Sequence, residues 1–187
     1  LRYCELPSLS EDKTLATYDP GTYPTLKLAL RTCKALGAGS DKIKWLTLSG
    51  GRDLGKSHLA IAVCREWLAR GQPAKYVFVP ALLDWLREVM DKPADQLAAR
   101  MHVLCQIPLL VMDDLGVQRP TDWAKERVIT IIDYRYQNAL PLMVTTNDSV
   151  EDLPGDDHGR IGSRLKRFVP GTVIAMVGPQ YITRRPK

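Results

Sequence analysis

Trp45-Leu46-Thr47-Leu48-Ser49-Gly50-Gly51-Arg52-Asp53-Leu54-Gly55-Lys56-Ser57-His58 is the stretch that decides the fold of this chain. Trp45 to Leu48 is a short apolar run that predicts a strand, and Leu59, Ala62, Val63 and Trp67 then share one helical face. They predict a helix from about Lys56 that Gly71 closes. Between the two, Gly50 to Ser57 satisfies GxxxxGK(S/T). Glycines let the backbone curl so that successive N–H groups point at a β-phosphate, and the helix N-terminus adds positive potential. Lys56 is expected to reach the β and γ oxygens and Ser57 to ligate Mg²⁺. A glycine turn that happens to contain Lys and Ser is the plainer alternative, but it would not need a strand before it and a helix after it. The residues expected around ATP or ADP are Gly50, Gly51, Arg52, Asp53, Leu54, Gly55, Lys56, Ser57 and His58.

Working outward, residues 1–24 mix Pro, Ser, Asp and Gly without a sustained period, which predicts an extended leader on the domain surface. Leu26, Ala29, Leu30 and Cys33 recur at helical spacing until Gly37 and Gly39 stop them. Tyr76 to Val79, Leu109 to Met112, Leu142 to Thr145 and Thr172 to Val177 are further apolar runs without polar alternation, as expected of strands covered on both faces. Leu82, Trp85, Leu86 and Val89, then Leu97 to Leu104, then Val128, Ile131 and Ile132 predict the intervening helices. Strand, helix, strand repeated in this way predicts a doubly wound α/β domain over residues 25–187, with a five-stranded parallel sheet flanked by helices. At 187 residues the chain suits one such core rather than two.

Leu109-Leu110-Val111-Met112-Asp113-Asp114 is an apolar strand ending in two carboxylates. Ligands of open α/β sheets collect at the carboxyl ends of the strands, so Asp113 should face the crevice that holds Lys56. Asp113 is expected to hold Mg²⁺ through water and Asp114 to orient the attacking water. A strand-end turn with two solvated acids is the alternative. Asn147 closes the run Pro141 to Asn147 and is expected to reach the γ-phosphate or that water. Taken singly it would be a turn residue; its order after the loop and the acid pair favours the functional reading. Arg160 and Arg164 precede the last strand, where a cation can serve the ATP of a neighbouring subunit or form a solvated helix end.

The net charge of +5 is unevenly placed, with Glu5, Glu11, Asp12 and Asp19 near the start and Arg160, Arg164, Lys166, Arg167, Arg184, Arg185 and Lys187 toward the end. Such a basic end suits phosphate-bearing partners and equally suits plain solvation. No apolar run approaches the roughly 20 residues of a membrane span, so a soluble, cytoplasmic protein with no membrane partner is expected. Cys4, Cys33, Cys64 and Cys105 are far apart, without metal-ligand spacing, and read as reduced thiols. A start at Leu1 rather than Met fits a fragment.

Gly50 to Ser57 with His58-Leu59-Ala60, Leu110 to Gly116, Thr145-Thr146-Asn147 and Arg160 to Leu165 together resemble the DnaC/DnaI-type helicase loaders and the related IstB transposition ATPases. The likeness runs from about Tyr18 to Tyr181 and includes Tyr18-Asp19-Pro20, Trp123 to Arg127 and Gly178 to Tyr181. Asp53 stands where the common AAA+ loop, GxxGxGK(S/T), has glycine; Asp tolerates left-handed backbone but sets a carboxylate beside an anion site. The resemblance implies an AAA+ P-loop ATPase without a full C-terminal lid, assembling side by side, gripping single-stranded DNA and placing a replicative DNA helicase on it. It implies catalytic roles for Lys56, Asp114 and Asn147, metal roles for Ser57 and Asp113, and a finger supplied in trans by Arg164, with Arg160 as the second candidate. It also implies phosphate contacts at Arg87, Lys92 and Arg100, although Trp85, their one aromatic neighbour, has the spacing of a core residue. Weak turnover stimulated by DNA or assembly is expected. The competing readings are an IstB-like transposition helper, a small P-loop kinase, and a nucleotide-switched DNA-binding module with little turnover. A kinase would need an acceptor region and a mobile arginine-rich lid.

Overall fold

The computed structural model describes residues 6–8, 10–116, 121–153 and 159–181. Expectations for Cys4, Glu5, Arg184, Arg185 and Lys187 lie outside the described residues. The elements run α1 (Pro24–Gly37), β1 (Trp45–Ser49), α2 (Lys56–Ala69), β2 (Ala74–Phe78), α3 (Val79–Arg87), α4 (Ala94–Gln106), β3 (Leu109–Asp113), α5 (Asp122–Gln137), β4 (Leu142–Thr146), α6 (Arg160–Arg167) and β5 (Gly171–Ala175).

The five strands form one sheet in the order β2-β3-β4-β1-β5, with every pairing parallel. Side chains alternate between its faces, as the period of two in a strand requires. Leu109, Val111 and Met143 join Leu26, Leu59 and Val63 in the core under α1 and α2. Leu110, Met112 and Val144 join Leu86, Leu104, Ile131 and Leu165 in the core under α3 to α6. Two cores, one per face, explain why the strands read as unbroken apolar runs.

Local chemistry sets several boundaries. Pro80 in the first turn of α3 suits a helix start, where its missing N–H is no loss, so the chain turns straight from β2 into α3 and Val79 belongs to the helix. The last strand begins one residue earlier than the apolar run and ends at Ala175, leaving Val177 exposed beyond it. Thr121 caps α5, its hydroxyl accepting from the N–H of Ala124 at 3.3 Å.

The leader is more than a surface strap. Ser10, Leu15 and Tyr18 are buried, and Leu15 and Tyr18 belong to the α1/α2 core. Turns at residues 11–12 and 15–17 fold it inward, and the absence of a helical or strand period in the sequence hid that packing.

Arg135 of α5 is fully buried and donates to four carbonyls, those of Leu104, Cys105, Pro108 and Pro141. The guanidinium thereby ties the end of α4 to the starts of β3 and β4. Burial pulls its pKa down to about 10. Cys33, Cys64 and Cys105 are buried and form no disulfide. Burial raises the pKa of Cys33 and of Cys105, the latter against the opposing pull of Arg135. Among the described residues, no helix is long and apolar enough to cross a membrane.

Candidate nucleotide site

The carboxyl ends of β1, β4 and β3 stand side by side, because β4 lies between the other two. The turn after β1, the polar end of β4 and the acid pair after β3 therefore meet at one edge. They frame a cleft of about 420 Å³ lined by Arg52, Asp53, Gly55, Lys56, Ser57, His58, Asp114, Thr145 and Asn147, together with Lys13, Phe78 and Tyr181. Gly50, Gly51 and Leu54 face a neighbouring depression on the other side of the loop, which Arg52 and Asn147 border as well.

Loop shape follows from backbone sterics. Gly55, the residue before α2, has φ of 87°, and a Cβ there would lie 2.5 Å from Cε2 of Tyr18. Asp53 adopts φ of 59°, the left-handed conformation its side chain tolerates, so the loop forms without the glycine.

Lys56 is buried, and its ammonium donates to the carbonyls of Gly50 at 2.8 Å and Gly51 at 2.6 Å and to Oδ1 of Asn147 at 2.9 Å. Phosphate oxygens would compete with those three acceptors. Asn147 Nδ2 in turn donates to Oδ1 of Asp114 at 2.7 Å, so one amide links the lysine to the second acid. Burial pulls the lysine below its usual pKa, against the attraction of Asp114 and Asp113. Burial, then the charge of Asp113, raises Asp114 above the usual carboxylate range; Lys56 and Arg52 oppose the rise, and Asp148 adds to it.

The two acids differ in setting. Asp114 lies at φ of 63° and faces the cleft, whereas Asp113 is buried at 3% exposure. Tyr76 donates to Oδ2 of Asp113 at 2.6 Å and Thr145 to Oδ1 at 2.5 Å. Gly116 completes the turn at φ of 108°, where a Cβ would clash with Oδ2 of Asp148. Magnesium suits this donor set. Ser57, Asp113 and Asp114 offer hard oxygens, and such a site takes one or two carboxylates plus phosphate oxygens rather than a closed protein cage. Among the described residues no group of three or more His, Cys, Asp and Glu could hold a metal ion.

Several expected residues sit elsewhere or do other work. The His58 ring, while lining the cleft, packs edge-on against Tyr18 and Tyr181, with Nε2 2.8 Å from the carbonyl of Thr14, so it also anchors the leader. Arg160 and Arg164 do not line the cleft and both pair with Asp133, at 2.7 and 2.8 Å. Arg164 also lies over the Tyr136 ring, 4.6 Å from its centroid. Hydrogen bonding to Asp133 holds its guanidinium above the usual arginine range. Arg87 pairs with Asp84 at 2.9 Å, and Arg100 lies over the Trp85 ring and bonds the Trp85 carbonyl and Glu88. Lys92 is exposed. Trp85 packs against the core under α3 to α6, as its spacing predicts.

Sequence reasoning missed Tyr76, Thr145, Lys13 and Phe78. Parity along β2 and β4 signals the first two, whereas nothing local marks Lys13 or Phe78. Tyr18 and Tyr181 were visible only as parts of flanking motifs. Their rings stack 5.5 Å apart, Tyr18 donates to the Leu54 carbonyl at 3.0 Å, and Tyr181 donates to the Thr17 carbonyl at 3.1 Å.

A parallel sheet in this order, with the glycine loop entering α2 and an acid pair two strands away, is a P-loop ATPase fold of the AAA+ type. The IstB-like ATP binding protein family matches residues 2–155, and the chain belongs to that family. The replicative helicase loader DnaC of Escherichia coli K12 is 29% identical over 105 residues, covering 56% of this chain and 43% of that protein. A putative ATP-binding protein of insertion sequence IS5376 from Geobacillus stearothermophilus is 28% identical over 146 residues, covering 78% of this chain and 57% of that protein. Among solved structures, the DnaC helicase loader superposes with a TM-score of 0.76 at 24% identity, covering 91% of this chain and all of that one, a likeness of fold. The chain thus spans about half the length of the curated relatives it matches.

Proposed function

We propose that this chain hydrolyses ATP and uses the cycle to help place a replicative DNA helicase on single-stranded DNA. The observation that carries the reading is the single relay Lys56–Asn147–Asp114, which spans the phosphate loop, the end of β4 and the acid pair. In this reading the loop amides and Lys56 hold the phosphates, and Ser57 and Asp113 hold the magnesium that accompanies them. Asp114 orients the attacking water, and Asn147 reports its position relative to the γ-phosphate. Magnesium when bound neutralises charge on the β and γ oxygens.

Arg164 belongs to the surface offered to a neighbouring subunit, with Arg160 beside it, so turnover is weak in the isolated chain and rises on assembly or with DNA. Arg87, Lys92 and Arg100 carry the DNA phosphate contacts in this scheme. Lys92 is the strongest of them, since Arg87 and Arg100 are already engaged by acids of their own layer.

The longer match to the insertion-sequence protein supports a second reading, a transposition helper with the same ATP chemistry and a different client. Pull-down of the full-length protein against a replicative helicase, with and without ATP and single-stranded DNA, separates the two. Nucleotide-dependent capture of the helicase is expected, and capture of a transposase instead would overturn the loader reading. Asp53 supports a third reading, a nucleotide switch with little turnover. Asp114→Ala tests it: an ATPase loses turnover and retains nucleotide, whereas a switch has no turnover to lose.

A further inference from the structure

The register of three neighbouring strands places a hydroxyl, a carboxylate and a second hydroxyl on the same face of the sheet. Tyr76 of β2 pairs with Val111 of β3, and Met143 of β4 pairs with Val111 from the other side. Side chains two residues on share a face, so Tyr76, Asp113 and Thr145 all fall on the side that carries α2, whose first residues are Lys56 and Ser57.

Both oxygens of Asp113 are engaged. Tyr76 Oη donates to one oxygen of Asp113 and Thr145 Oγ1 to the other, at 2.6 and 2.5 Å, with all three side chains buried. Thr145 Oγ1 also accepts the backbone N–H of Asp114 at 3.0 Å. One hydroxyl therefore ties the rotation of the first acid to the left-handed backbone of the second. Each Asp113 oxygen keeps an acceptor site for another donor, such as a metal-bound water. Neutral donors fix the carboxylate without cancelling its charge, as a lysine or arginine in their place would.

We propose that Tyr76 and Thr145 are positioning residues that hold the acid pair in its magnesium-binding geometry and so set how strongly magnesium tightens nucleotide binding. This deepens the ATPase reading and rests on it. Groups that orient metal-binding side chains typically contribute 10- to 100-fold to metal affinity.

The test is calorimetric titration of ADP into the folded protein in EDTA and at rising magnesium chloride, for the parent, Tyr76→Phe, Thr145→Val and Thr145→Ser. Expected is unchanged ADP binding in EDTA for Tyr76→Phe, whose ring does not line the cleft; for the Thr145 variants the magnesium effect is read relative to each variant's own binding in EDTA. Half-saturating magnesium should rise about 10-fold in Tyr76→Phe and Thr145→Val, and Thr145→Ser, which keeps the hydroxyl, should stay within about twofold of the parent. Thermal melting of each variant separates this from loss of fold. Unchanged magnesium dependence in Tyr76→Phe and Thr145→Val, or equal weakening with and without magnesium, would overturn the positioning role alone. No ADP uptake by the parent under either condition would sink the nucleotide reading and this inference with it.

Discussion

Arg164 donates from Nε to Oδ1 of Asp133 at 2.8 Å, so the arginine proposed to act on a neighbour's ATP is held in place by an acid of its own α5. Asp133 also takes Arg160 through its other oxygen, and Tyr136 supports Arg164 from below. A partly buried, doubly engaged carboxylate orients a guanidinium better than an exposed pair does.

Arg164→Ala is expected to lower kcat at least about 10-fold in assembled protein, a conservative part of what such a finger supplies. Measured as turnover against protein concentration, the loss should vanish at dilutions where the chain is monomeric. An equal loss in monomers would contradict a role in trans. Mixing Arg164→Ala with Lys56→Ala should restore part of the rate, since each variant then supplies what its neighbour lacks.

Asp114 gives a prediction about pH. Its folded pKa is raised, chiefly by burial and then by Asp113, so the native state holds this proton more tightly than the unfolded chain does. Stability is therefore intact below the ordinary carboxylate range and falls as pH rises through the raised value. Asn at this position keeps an oxygen to accept from Asn147 and tolerates positive φ. Asp114→Asn should melt about 2 °C higher than the parent at pH 7, a small effect because the group is partly solvated. The gap should close on acidification below about pH 4. A gap that persists there would assign the gain to something other than the charge.

Asp53 tests the loop. Asp53 lines the cleft that is proposed to take a triphosphate, on left-handed backbone that glycine adopts at no steric cost. Asp53→Gly should bind ADP roughly 2- to 5-fold more tightly while changing stability by less than about 1 kcal/mol, because relief of the left-handed strain offsets the freer unfolded chain. Calorimetry and urea melts measure the two effects separately. Weaker ADP binding in the glycine variant would show that the carboxylate serves the site.

Arg135 tests the fold rather than the site. Replacing it with Met keeps the length and takes the guanidinium donor from the carbonyls of Leu104, Cys105 and Pro108, while Pro141 keeps the N–H of Leu110. Removing a buried charge offsets part of that loss, so Arg135→Met should cost about 2–4 kcal/mol in urea unfolding. A cost below about 1 kcal/mol would mean that other donors replace the guanidinium.

Residue order and periodicity alone specify the architecture and bring most of the cleft residues to one sheet edge. Unbroken apolar runs separated by helical periods specify a parallel sheet covered on both faces. Lys56, Ser57, Asp114 and Asn147 were legible because each sits at a fixed offset from a strand end, where local chain direction alone delivers it to the sheet edge. Tertiary structure decided what depends on residues far apart in the chain. Asp113 acquires its two hydroxyl donors only because β2 and β4 flank β3 in a particular register. His58 lines the cleft and also fastens the leader because Tyr18 and Tyr181 close around it. Arg160 and Arg164 meet Asp133 only when α6 packs on α5. Periodicity records which face of an element is buried, and carries no record of which distant side chain it is buried against.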